Sequence, residues 1–98
     1  MKFIHRFSRS LACEMTVRDE APAPGQSHVQ SIEWIGKPKP KHIAEYRQWV
    51  LHTTSILAER WNLSILYGLG VGPKCTEFWQ FEPGKAPKLL ATAPVGIP

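Results

Sequence analysis

The sequence predicts a small α+β protein, a three- to four-stranded, mainly antiparallel sheet with one long helix packed on one face. Three observations predict it. From Lys41 to Trp61, apolar residues recur at steps of three and four, the mark of one helix face. Short segments rich in β-branched and aromatic residues lie on both sides of that stretch. The last two such segments are joined by a connection short enough to make a hairpin. The order is strand, helix, strand, strand, a β-α-β-β core.

Residues 1–18 form an N-terminal segment with two readings. Leu11, Cys13, Met15 and Val17 alternate with Ala12, Glu14, Thr16 and Arg18, a period of two that predicts a half-buried strand. Phe3, Phe7 and Leu11 recur every four, which suits a short helix instead. The opening MKFIHRFSRS is basic and lacks acids, resembling the start of an organelle transit peptide. Arg6 and Arg9 interrupt any apolar core, so it is not a secretory signal, and Met15 offers a second possible start. DEAPAPGQS, residues 19–27, is a linker with prolines, a glycine and no apolar bulk.

Residues 28–85 are the expected core domain. VQSIEWI, residues 29–35, is its first strand, and Gly36 ends it. Pro38 and Pro40 keep KPKPK extended, with Pro40 well placed in the first turn of the helix. Along the helix, Ile43, Tyr46, Trp49, Val50, Thr53, Ile56, Leu57 and Trp61 form the apolar face, and Asn62 stops it by turning left-handed. SILYGLGV, residues 64–71, is the second strand. Gly72, Pro73 and Lys74 make a turn, and TEFWQF, residues 76–81, is the third strand. A right-handed helical crossover would set the first two strands parallel. EPGK turns the chain again, and residues 86–98, with three prolines, are expected to be a disordered tail.

Composition narrows the function. The chain has 98 residues, 43% hydrophobic and 20% charged, and a net charge of +4. Residues 1–27 carry four basic and three acidic side chains, leaving eight against five in the remainder, so the excess is mild in both parts. Such a balance permits nucleic-acid contact without demanding it. No apolar run is long enough to cross a membrane. Cys13 and Cys75 are too few for a secreted disulfide framework and read as reduced thiols, pointing to the cytoplasm.

The aromatics raise the main functional expectation. One helix covers one face of a small sheet, yet Phe78 points opposite to Trp79 and Phe81. The uncovered face is expected to bind a protein partner or a second copy of the chain, through Trp34, Trp79 and Phe81, with Arg47 and Arg60 as candidate rim residues. The plainer alternative is cover by residues 1–18.

Two further readings belong to other classes. Lys37, Lys39 and Lys41 lie just before a helix, where an anion fits, and exposed tryptophans could stack bases beside them. The same lysines also fit a solvated linker. GLGVG, residues 68–72, is followed by another strand and not a helix, so it reads as a hairpin arm and not a phosphate loop. His42, Glu45 and His52 share part of a helix face and could serve a small enzyme, but their spacing is not that of the histidine pair of zinc proteases. No cofactor and no metal are expected.

Overall fold

The computed structural model describes residues 1–26, 28, 30–70 and 76–93. The fold is α+β, with one long helix and antiparallel strands. The strands divide into two three-stranded sheets where a single sheet was expected. Two compact units result, Met1–Tyr46 and Arg47–Pro98.

The first unit holds β1 (Lys2–Arg6), β2 (Ala12–Val17) and β3 (Gln30–Ile35), paired in that order. The period of two in residues 11–18 is β2, as the alternation predicts. The fourfold spacing of Phe3, Phe7 and Leu11 does not make a helix; residues 2–6 are extended. So few residues cannot sustain an isolated helix, whereas β2 offers a complete ladder alongside. Register sorts the side chains. Cys13, Met15 and Val17 are buried, and on their face Met15 lies opposite Phe3 and Ile32, and Cys13 opposite His5 and Trp34. The other face carries Lys2, Arg6, Glu14 and Glu33 together with the exposed Ile4 and Ile35, and Lys2 and Glu14 pair at 3.2 Å.

The turn between β1 and β2 is closed by Phe7 and Ser8, whose N–H groups both donate to the Leu11 carbonyl, at 2.9 and 3.2 Å. After β3, Gly36 adopts φ +90°, with its backbone against Ser10. Lys39 is extended, and Pro40–His42 forms a single 3-10 turn with the proline at its start. This leads into α1 (Ile43–Trp61).

Along α1 the buried residues are Tyr46, Val50, Leu51, Thr53, Thr54, Leu57 and Ala58. Their steps of three and four match the expected stripe, rotated enough that Ile56 is exposed. The helix stops as predicted at Asn62, φ +50°. The Asn62 N–H donates to the Glu59 carbonyl, and the Leu63 N–H to that of Ala58. This paired closure satisfies carbonyls that the last turn would otherwise leave open.

The second unit contains the rest of α1 and a sheet of β4 (Ile65–Leu69), β5 (Glu77–Phe81) and β6 (Lys88–Thr92). β4 and β5 form the expected antiparallel hairpin, Leu69 opposite Glu77. Its tip, including the predicted Gly72–Pro73–Lys74 turn and Cys75, lies outside the described residues, as does Val29. The parallel crossover is not formed: β3 pairs with β2, and β4 with β5. Neighbours joined by short connections pair antiparallel at less entropic cost than a crossover demands.

The EPGK turn forms, with the Lys85 N–H donating to the Glu82 carbonyl at 3.2 Å and Gly84 at φ +71°. Proline then glycine with positive φ is the pattern of a type II turn. Within residues 86–98, expected to be a disordered tail, Lys88–Thr92 forms β6. Its five residues contain no proline, so every one can join the ladder. The pairing slips by one residue, Phe78 facing Ala91 and Trp79 facing Leu89, which leaves Leu90 as a bulge.

Candidate functional site

The two faces of the second sheet differ sharply. Ile65, Tyr67, Leu69, Glu77, Trp79 and Phe81 share one face by register. Ile65 and Leu69 are buried there, and Phe81 is only 1% exposed. Phe81 therefore offers no surface to a partner, a correction to its place among the expected contact residues. The odd-numbered set of β5 faces inward, and Phe81 is its best-sheltered member.

Trp79 lies on the same inward face, half-buried. The Arg47 guanidinium is 5.2 Å from its ring centroid. Arg47 Nε donates to both carboxylate oxygens of Glu77 at 3.0 Å, and Trp79 Nε1 donates to one of them at 2.7 Å. The Glu77 carboxyl is held below its ordinary value of 4.5, chiefly by the Arg47 hydrogen bond and further by that of Trp79, against the opposing effect of partial burial. Arg47 is thus fixed to β5 and is no loose rim residue; Arg60 is exposed near the helix end. Beside this cluster, Leu51, His52, Ser55, Trp79 and Pro87 line a groove of about 380 Å³. The Arg47 charge at its margin is already matched by Glu77.

On the opposite face of this sheet, Leu66 is 73% exposed and Phe78 43%. Leu66 lies opposite Gln80, and Phe78 between Gly68 and Ala91. Small neighbours on both sides leave the Phe78 ring standing clear of the sheet. Lys88, opposite Gln80, is the charged residue of this face among the described residues. Both alternating sets of each strand are plain in the sequence. No local signal there says which set faces out, so nothing in it singles out Leu66 and Phe78.

Trp34, in the first unit, is half-buried. Its ring stacks on Phe7 at 5.4 Å and meets Tyr46 at 5.1 Å. A ring engaged by two aromatic neighbours has little left to offer a base or a partner.

The lysines expected to bind anions do come together. Lys37, Lys39 and Lys41 line one cleft of about 240 Å³ with Ser8, Ser10, Leu11 and His42. The serines come from the β1–β2 turn, far earlier in the sequence.

The helix-face set is dispersed among other partners. Glu45 pairs with His5 Nε2 at 2.5 Å. His42 Nδ1 accepts the Lys39 N–H at 3.0 Å, and His52 lines the groove beside Trp79. Among the described residues, no group of three or more His, Cys, Asp or Glu side chains is placed to hold a metal ion, and no helix is long and apolar enough to cross a membrane.

Compared with known protein families, curated proteins and solved structures, the chain matches none.

Proposed function

We propose that the chain is a small non-enzymatic binding protein that associates with a second copy of itself through the outer face of its second sheet. The observation that carries this reading is the exposure of Leu66 and Phe78 together on a face whose other members are Gly68, Gln80, Lys88 and Ala91. The outer face of the first sheet also exposes Ile4 and Ile35, at 55% and 52%, but sets them among four charged side chains, Lys2, Arg6, Glu14 and Glu33, where the second sheet has Lys88 alone among the described residues. A second copy is the occupant that fits. The face offers two bulky residues beside two small ones, so a two-fold partner can set its bulk over the small positions. It has no carboxylate among the described residues to attract a basic partner.

The open edge of β6 is a poorer route to association. The bulge at Leu90 twists the edge and discourages a further strand. The face itself measures roughly 17 Å by 10 Å, from five-residue strands at ordinary spacing. That is well short of the ~800 Å² per partner of a stable complex, so the dimer is weak and depends on concentration.

Sedimentation velocity over a range of concentrations tests this. The expected result is a shift from the 11.1 kDa monomer toward a dimer, abolished in a Leu66→Ser/Phe78→Ser variant. A monomer at every concentration, or a variant that associates as well as the original, overturns it. The free, buried thiol of Cys13 supports a reducing compartment, the cytoplasm, as its place of action.

A further inference from the structure

We propose that the cleft between the β1–β2 turn and the Lys37–His42 segment is a binding site for the phosphoryl group of a phosphomonoester. The starting point is the spacing of the lysines. In extended backbone, residues two apart point to the same side. Pro38 and Pro40 bias the residues before them, Lys37 and Lys39, toward extended backbone, and Lys39 has φ −107° and ψ 161°. Lys37 and Lys39 therefore share a side, Lys41 follows in the 3-10 turn that Pro40 starts, and all three line the cleft.

That convergence lacks compensation. Lys2 and Lys85 each meet a carboxylate, at 3.2 and 3.0 Å. Lys37, Lys39 and Lys41 meet none within salt-bridge distance among the described residues. Three ammonium groups on one concavity repel each other, and an anion placed among them reverses the sign of that interaction.

The remaining lining groups supply neutral donors. The Ser10 N–H donates to Ser8 Oγ at 3.3 Å, which leaves the Ser8 hydroxyl proton free to point elsewhere. His42 Nδ1 accepts the Lys39 N–H, so a neutral His42 ring carries its proton on Nε2 and presents it as a donor. Lysines, hydroxyls and an imidazole N–H form a donor-rich set with no carboxylate to reject a dianion. Gly36 makes the assembly possible, since only a residue without Cβ lets this segment lie against Ser10.

Size selects the ligand class. A cleft of about 240 Å³ holds one phosphoryl group and the start of its ester, not a run of nucleotides. Strand binding without sequence preference also needs open aromatic platforms. Trp34, the aromatic of this unit foreseen for that role, is already stacked on Phe7. A dianionic monoester also gains more from three lysines than the singly charged diester of a nucleic-acid backbone.

The test is a titration of the full ¹⁵N-labelled chain, followed by amide shifts, at low and high salt. The probes are inorganic phosphate, glucose 6-phosphate and a single-stranded oligothymidylate. The expected result is saturable shifts at Ser8, Ser10 and Lys37–His42 with both phosphates, weakened by salt. Lys39→Gln/Lys41→Gln, at exposed positions, should weaken binding about tenfold or more, while Lys85→Gln/Lys88→Gln, with the same charge change, leaves it intact. Equal weakening in the two variants, or no saturable shifts in the cleft, overturns the site. Tighter binding of the oligonucleotide than of either phosphate overturns the monoester class.

Discussion

The backbone of Gly36 passes so close to Ser10 that a β-carbon at 36 would lie 2.3 Å from the Ser10 carbonyl oxygen. The obstacle is main chain and cannot swing aside. Gly36 also has φ +90°, which side chains rarely tolerate. Gly36→Ala should therefore cost about 2 kcal/mol or more in urea unfolding. Gly25 has a similar φ, +84°, but nothing lies within 4 Å of where its β-carbon would sit, so Gly25→Ala should cost about 1 kcal/mol or less. Equal losses at the two sites would show that the approach to Ser10 is unimportant.

Phe78 and Phe81 are the same residue type on one strand, facing opposite ways. Removing the Phe81 ring opens a cavity in the sheltered face and should cost about 3–5 kcal/mol. Phe78→Ala should cost no more than about 1 kcal/mol. Denaturant midpoints of the two variants measure the difference, and a reversed order would mean the sheet faces are wrongly assigned.

Acid should weaken the second unit through Glu77. Its folded carboxyl titrates below the ordinary value of 4.5, so as pH falls the unfolded chain takes up the proton first. The stabilisation is complete above about 4.5 and is lost as pH drops through the folded value. Glu77→Gln should remove this part of the acid sensitivity and cost about 1 kcal/mol at neutral pH. Stability curves of the two proteins that stay parallel from about pH 7 to about pH 3 would contradict it.

Cys13 acts at the alkaline end. Burial, aided by the charge of Glu45, pushes its thiol from 9.0 up to about 11. The unfolded thiol ionises first as pH rises, so stability is intact below 9.0 and falls through the interval up to about 11. The loss is on the order of 2 kcal/mol. Other groups titrate there too, so the quantity to measure is the difference between the original chain and Cys13→Ala. A constant difference across that interval would dismiss the effect.

The sequence showed what depends on near neighbours. The helix period, the alternation of β2, the stop at Asn62, the β4–β5 hairpin and the Pro83–Gly84 turn are each encoded within a few residues. Sheet membership is not encoded that way. Nothing in VQSIEWI says that its partner is the segment before it and not the one after. Period two separates Phe78 from Phe81 without saying which set is sheltered. β6 is hidden because the prolines on either side dominate the composition of its surroundings. The lysines of the basic cleft are visible, but Ser8 and Ser10 join them only through the register of the first sheet and the approach at Gly36.

Each sheet is a plain meander, every strand laddered only to its neighbour in sequence. Assembly of the second sheet closes two short loops, and that of the first closes one short turn and the linker between β2 and β3, so no strand has to wait for a distant part of the chain. Rapid refolding follows, on the order of milliseconds.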